Sequence, residues 1–360
     1  MTKIKTLMLL VIITAVTSCA PTSKLSTVKP VRNVILMIGD GMGLSHVYAA
    51  MSVSELPLNI ERCTVTGLQK NYSSDNYVTD SGASGTAIAT GTKTNNGAIG
   101  VDAKGNRVRS ILEIAEANNR STGLISTSSL THATPASFIA HQSSRASYEN
   151  IAMDFIKTDV DVLIGGGYDH FAKRADKLNL LDTLKARNYD VVNSMDQVLR
   201  SSSDKLAGLT APEHNPYRLK GRGNMLPAST GKAIEILSRN PDGFFLMVEG
   251  SQIDWAGHAN AADTLIDETL DFDQAVGVAL DFAENDGHTL VIVTADHETG
   301  GVTLLNGDLK NNTVELHFST TNHTGIMIPV YAYGPGAEKF SGIYENTDIF
   351  KKILNAFGFK

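Results

Sequence analysis

Short runs of uninterrupted apolar residues recur along the chain, and most end in glycine, serine or an acid. The run 34–38 enters Gly39-Asp40-Gly41, and the run 122–125 enters Ser126-Thr127-Ser128. Residues 162–164 lead into Gly165-Gly166-Gly167, 244–248 end at Glu249, and 290–294 stop just before Asp296-His297. A further run, 329–333, ends at Gly334-Pro335-Gly336. Runs without polar alternation suit strands covered on both faces, as in a parallel sheet. Stretches of helical period lie between them. One is 109–117, and another is 265–284, with Phe272, Val276, Ala279 and Ala283 near one face. Asp267, Asp271 and Asp281 are then expected on the solvated side of that helix. Strand alternating with helix predicts an α/β fold, a three-layer α/β/α sandwich around a mostly parallel central sheet. Ligands of such sheets collect at the carboxyl ends of the strands, where Asp40, Glu249, Asp296 and His297 fall. Residues 168–240 are more polar and less regular, and are expected to be helices and surface loops inserted in the same domain.

The first residues follow a different pattern. Lys3 and Lys5 precede an apolar run, 7–16, that is too short to span a bilayer and suits a signal segment. It ends in Val16-Thr17-Ser18-Cys19, which resembles the lipobox of bacterial lipoproteins. The expected organisation is a signal peptide 1–18, a lipidated tether 19–30 and a single catalytic domain 31–360. Such a chain is exported and held by lipid at Cys19 on a bacterial membrane, in the periplasm or at the cell surface. Cys63 is the only other cysteine, so a lipidated Cys19 leaves it no disulfide partner. It is read as a small buried hydrophobe.

Composition narrows the function. A chain of 360 residues with 42% hydrophobic residues can bury a large core without disulfides. A formal charge of −7 argues against a nucleic-acid binder, which carries a basic face. An acidic protein that takes an anionic substrate must supply positive charge locally, and bound metal ions do that.

Candidate chemistry is spread over several segments. In Asp254-Trp-Ala-Gly-His258 the acid and the imidazole are four apart, on one face if the segment is helical. Asp296 and His297 can reach one ion only if the chain turns, and Glu298-Thr299-Gly300-Gly301 offers a turn. His323 lies shortly before the run at 329–333, and Asp40 sits between two glycines. Imidazole with carboxylate suits Zn²⁺, and carboxylate with hydroxyl suits Mg²⁺. The segment Thr79-Asp-Ser-Gly-Ala-Ser-Gly-Thr-Ala87 reads as a turn entering a helix, with Ser81 near the amino end. Exposed amides there favour phosphate, and a serine nucleophile needs a base or a metal to activate it. No histidine lies close by in sequence, so metal activation fits better. His132-Ala-Thr134-Pro135 leads on to Arg145, whose guanidinium can grip two phosphate oxygens. Gly39-Asp-Gly-Met-Gly43 follows a strand but lacks the dinucleotide spacing, and Asp40 would repel a pyrophosphate. His46, His170, His214, His288 and His317 are read as capping, surface or core residues, and His141 as a support for Arg145 or a helix.

Taken together, the segments resemble the alkaline phosphatases, most closely their compact bacterial branch. The resemblance spans 31–360 and rests on Ile38-Gly-Asp-Gly-Met42, Thr79-Asp-Ser81, Thr131-His-Ala-Thr-Pro135 and Ser144-Arg145. It continues through Glu249-Gly-Ser-Gln-Ile-Asp254, His258, Thr294-Ala-Asp-His-Glu-Thr-Gly300 and His323-Thr-Gly325. It implies hydrolysis of small phosphate monoesters to an alcohol and inorganic phosphate through a phosphoserine on Ser81. It further implies one Zn²⁺ on Asp254, His258 and His323, and a second on Asp40, Asp296 and His297. A Mg²⁺ would be shared by Asp40, Thr134 and Glu249, and Arg145 would clamp the phosphate. His132 would stand beside the Mg²⁺ where some members have an Asp. Trp255 would lie near phosphate where some have a Lys or His. The family also implies a homodimer.

Overall fold

The computed structural model describes residues 30–308 and 310–359. The signal peptide, Cys19 and all of the tether but Pro30 lie outside them.

The first strand shows why the chain folds in layers. β1 (Asn33–Gly39) is buried along its whole length. Val34, Leu36 and Ile38 pack into one apolar cluster, while Ile35 and Met37 pack into another. Successive side chains of a strand point to opposite faces, so a strand apolar at every position requires a cover on each side. The helices Ser81–Thr90, Ile111–Ala117, Tyr148–Phe155 and Thr347–Phe357 contribute to the first cluster. Leu44–Val53, Met225–Leu237 and Ala262–Asp286 contribute to the second.

The remaining strands are β2 (Val65–Lys70), β3 (Ser121–Ser129), β4 (Val162–Gly166), β5 (Asp190–Val192), β6 (Leu206–Ala211), β7 (Phe244–Gly250) and β8 (Thr289–Thr294). They are followed by β9 (Glu298–Thr299), β10 (Val302–Asp308), β11 (Thr313–Phe318), β12 (His323–Thr324), β13 (Ile328–Tyr333) and β14 (Gly342–Glu345). Ten form one sheet in the order β14-β2-β13-β8-β1-β7-β3-β4-β6-β5. Only β13 runs against the others in it, pairing antiparallel with β2 and β8. The α/β sandwich around a mostly parallel sheet is therefore what the chain forms. β10 and β11 make a separate hairpin, and the short pair β9 and β12 brings His323 opposite Thr299.

Two expectations need correction. Residues 168–240 are more than inserted helices and loops. They supply β5 and β6 at the sheet edge and the helix Met225–Leu237, whose apolar side joins the second cluster. Their polar residues masked short strands that gain stability only from the sheet. The acidic side of the helix Ala262–Asp286 is only partly solvated. Asp281 is exposed and pairs with Arg62 at 2.8 Å, whereas Asp271 is fully buried and pairs with Arg222 at 2.8 Å. This helix packs along Met225–Leu237 and beneath the loop at 214–222, which covers that face.

Candidate active site

Because neighbouring central strands run the same way, their last residues meet at one edge. Glu249 of β7 lies in register with Ile38 of β1 on one side and Ser126 of β3 on the other. Asp40 follows β1 directly, and Asp296 and His297 follow β8. Gly41 has φ +74, and a Cβ there would stand 2.8 Å from the Asp254 Cα. Only glycine lets the turn after β1 close onto the helix Gln252–His258. That helix carries Asp254 and His258 on one face, as their spacing predicts.

Ser81 is the first residue of the helix Ser81–Thr90, whose residues are small and buried throughout. Asp80 caps it by accepting from the Ala83 amide at 2.9 Å. The other Asp80 oxygen accepts from Arg145 Nη1 at 2.8 Å, so one carboxylate aligns both the helix start and the guanidinium. Arg145 lies in a turn ahead of the helix Tyr148–Phe155. Its Nη2 lies 3.4 Å from His132 Nε2. His141 supports other parts of the structure, with its Nδ1 on the Gly100 carbonyl and its Nε2 on Glu113.

Potential ligand atoms of Asp254, His297 and His323 lie within 4.8 Å of one another, as do those of Asp40, Asp296 and His297 and those of Asp40, His132 and Glu249. His258 joins the first set, with its Nε2 3.2 Å from His323 Nε2 and 3.4 Å from Asp254 Oδ1. The protons of these rings are directed elsewhere. His258 Nδ1 donates to the Thr321 carbonyl at 2.6 Å, and His323 Nδ1 to the Thr79 carbonyl at 2.9 Å. Thr299 donates its hydroxyl to Asp254 and accepts from His297 Nδ1 at 3.2 Å. In the neutral rings every Nε2 is then a bare lone pair. Two such lone pairs face each other in His258 and His323. A third, on His297, faces Asp40 Oδ1 at 3.4 Å, Asp296 Oδ2 at 3.3 Å and Ser81 Oγ at 3.1 Å.

Three of the carboxylates, Asp40, Asp296 and Glu249, show the same deficit of positive charge. Both Asp40 oxygens, Asp296 Oδ2, Glu249 Oε1, Thr134 Oγ1 and His132 Nδ1 are buried without a hydrogen-bond partner. Burial, then repulsion from Asp296, Asp254 and Glu249, holds the Asp40 carboxyl well above its usual range. Burial raises Glu249 and Asp296 as well, and pushes His132 down to about 3 and His297 well below the usual range for histidine. Groups of this kind stay buried only when a cation completes them, and mixed imidazole, carboxylate and hydroxyl donors are the chemistry that divalent metal ions take. The residues present fit metal ions.

The structure brings the candidate ligands of the sequence motifs close together, and with them several neighbours that no motif marks as ligands. Ser126 donates to Glu249 at 2.5 Å, and Ser251 lies 2.9 Å from Ser126. His214, read as a bland residue, stacks edge to face on Trp255 with ring centres 4.7 Å apart. His46 is buried as expected, with Nε2 3.1 Å from the Thr299 carbonyl. Cys63 is half-buried, and its thiol is pushed up to about 12 by burial, so it is inert as a nucleophile.

A parallel sheet whose carboxyl edge gathers metal-binding donors around a serine at a helix amino end defines a class, the metal-assisted hydrolases of phosphate esters. The chain belongs to the alkaline phosphatase family, whose model matches residues 31–317 and 307–359. It is 37% identical to alkaline phosphatase 4 of Bacillus subtilis, with 90% of this chain and 89% of that one aligned. It is 35% identical to the alkaline phosphatase of Escherichia coli, over 92% and 87% of the two chains. The solved alkaline phosphatase of the Antarctic bacterium TAB5 superposes with a TM-score of 0.88 at 46% identity, covering 92% of this chain and 100% of that one. A TAB5 variant with aspartate in place of a histidine has Mg bound in its M3 site. The present chain is thus a phosphatase that hydrolyses phosphate monoesters.

Proposed function

We propose that hydrolysis proceeds through a phosphoserine on Ser81, at a centre of two Zn²⁺ and one Mg²⁺. The observation that carries this reading is the pair of Nε2 atoms of His258 and His323, 3.2 Å apart while both Nδ1 protons are given to carbonyls. Asp254, His258 and His323 would hold one zinc, and Asp40, Asp296 and His297 the other. Asp40, Thr134 and Glu249 would hold the magnesium, with His132 beside it. When bound, the ions supply the positive charge that makes a serine alkoxide accessible at neutral pH and stabilises a departing alcohol oxygen.

The chain's own residues do the rest. Arg145, aligned by Asp80, takes two phosphate oxygens through its planar fork. The amide end of the helix Ser81–Thr90 adds partial positive charge where the phosphate sits. Ser81 loses its hydroxyl proton to solvent, its Oγ attacks phosphorus in line, the ester P–O bond breaks, and the alcohol leaves with a solvent proton. Water then attacks the phosphoserine and releases inorganic phosphate, so the two inversions give net retention at phosphorus. His297 is within reach of Ser81 Oγ, but its nitrogen also faces two carboxylates, which suits a ligand better than a general base.

Aryl phosphate hydrolysis, with and without chelator, tests the scheme. Ser81→Ala is expected to lose at least about a thousandfold in kcat. Chelator should abolish wild-type turnover, and chelator-insensitive activity would overturn the reading. The sequence at Cys19 supports export and lipid anchoring, which labelling with a radioactive fatty acid tests by comparison with Cys19→Ser. A homodimer is supported by the family and by exposed Leu44, Tyr48 and Leu305 near the β10–β11 hairpin, and sedimentation equilibrium reads it directly.

A further inference from the structure

Trp255 follows Asp254 on its helix, His132 lies beside Arg145, and both touch a residue from a distant part of the chain. His214 lies in the loop between β6 and the helix Met225–Leu237. Its ring meets Trp255 with centres 4.7 Å apart at 73°, and meets His132 at 5.6 Å and 89°. His132 and Trp255 meet each other at 5.9 Å and 86°, so the three rings form a closed set of edge-to-face contacts. Such contacts are directional and fix ring orientation. His214 is itself oriented, because its Nδ1 accepts the Ser129 amide at 3.1 Å. His132 passes the constraint on, with its Nε2 3.4 Å from Arg145 Nη2.

The loop that delivers His214 is bound to the site from below. The Asn215 amide donates to the Thr127 carbonyl at 3.2 Å, and the Asn215 carbonyl accepts from Gln252. Arg222, with its side chain 1% exposed, bonds Gln252, Glu268, Asp271 and, at 3.0 Å, the Pro216 carbonyl. Gln252 lies two residues before Asp254 on the same helix. The loop therefore cannot shift without disturbing the helix that carries Asp254, Trp255 and His258.

We infer that His214 is a positioning residue of this phosphatase, whose ring holds Trp255 and His132 and, through His132, sets where Arg145 meets the phosphate. The inference rests on the proposed role of Arg145 as the phosphate clamp. Neutral and half-buried, His214 adds order rather than charge. Its loss should weaken the hold on the phosphoryl group in substrate and product alike, and so fall mainly on KM.

The test uses metal-loaded His214→Ala, His214→Phe and His214→Asn, with zinc content checked against wild type. It measures kcat and KM for an aryl phosphate, inhibition by inorganic phosphate, and the emission of Trp255, which is the only tryptophan in the chain. His214→Ala is expected to raise KM and the phosphate inhibition constant together by about three- to tenfold, the scale of one or two aromatic contacts. It should also change the Trp255 emission and its response to phosphate. His214→Phe, which keeps a ring, should recover most of the phosphate affinity. His214→Asn keeps an acceptor for the Ser129 amide but no ring, and should resemble His214→Ala. Unchanged KM, phosphate inhibition and emission in His214→Ala would overturn the inference, as would an Asn variant equal to wild type. Arg145→Ala is the control. If it kept full phosphate affinity, the clamp reading would fall and the inference with it. If it lost affinity beside an unaffected His214→Ala, only the role of His214 would fall.

Discussion

His132 faces two demands at once. One ring nitrogen lies 3.4 Å from Arg145, and the other is buried without a partner while the ring clusters with Asp40 and Glu249. A neutral imidazole is a poorer partner for a hydrated Mg²⁺ than a carboxylate, because hard cations prefer oxygen. His132→Asp should therefore tighten Mg²⁺ binding, read by titrating Mg²⁺ into metal-depleted protein in a calorimeter. An unchanged affinity would show that His132 stands too far from the ion to matter. The same substitution places a carboxylate near Arg145 and should draw the guanidinium toward it. At this scale the sequence was highly legible. The motifs make Asp40, Glu249, Asp254, His258, Asp296, His297 and His323 candidate ligands, and the structure brings these side chains together. His214 was not legible, because its role comes from ring contacts with Trp255 and His132, which lie far away in sequence and carry no spacing signal.

Among the elements, the helix Gln252–His258 is the one on which the site depends most, and it is short. With only seven residues it gains little from its own hydrogen bonds and is held by its surroundings. Gln252 supplies one anchor, bonding Arg222 and the Asn215 carbonyl. Removing the Arg222 cation from this buried group leaves Glu268 with the Arg218 amide at 2.8 Å and Asp271 with Arg218 Nε at 3.8 Å as their remaining donors. Arg222→Ala should cost about 3–5 kcal/mol of stability, as broken buried ion pairs do, and chemical denaturation of the metal-loaded protein checks it. A loss under about 1 kcal/mol would mean that water replaces the guanidinium without penalty. The long helix Ala262–Asp286 illustrates why periodicity alone misled. Its apolar face was recognised, but the sequence pattern does not say that a second layer of charged loop covers Asp271. Long central strands were recognised because continuous apolar runs are their signature. β5, β9 and β12 are two or three residues each, too short for any period.

For the whole molecule, the concentration of acids at one edge makes stability depend on both protons and ions. Burial raises Glu249 to about 7 and Asp296 to about 6, and Asp40 is raised too. A carboxyl with a raised folded-state pKa binds protons more tightly folded than unfolded. The stability it contributes is present at low pH and is lost as pH rises through the folded value. Buried His132, His297 and His46 act the other way, because their depressed values make the unfolded chain the better proton binder below about pH 6.5. The two sets oppose each other, so the melting temperature of metal-free protein should change little between pH 5 and pH 8. The metal-loaded protein should melt higher near pH 8 than near pH 5, since the ions bind the deprotonated ligands and are displaced by acid. Thermal melts of chelator-treated and metal-loaded samples across that range test the difference. The direction of the sheet has a consequence of another kind. The candidate ligands gather at the carboxyl edge, whereas Pro30, at the start of the described chain, is tied by its carbonyl to His288 just before β8, at the amino edge. Whatever holds this protein by its amino terminus, whether a membrane or a bead, would grip the side away from the reacting phosphate. An immobilised enzyme would keep its mouth open to passing substrate.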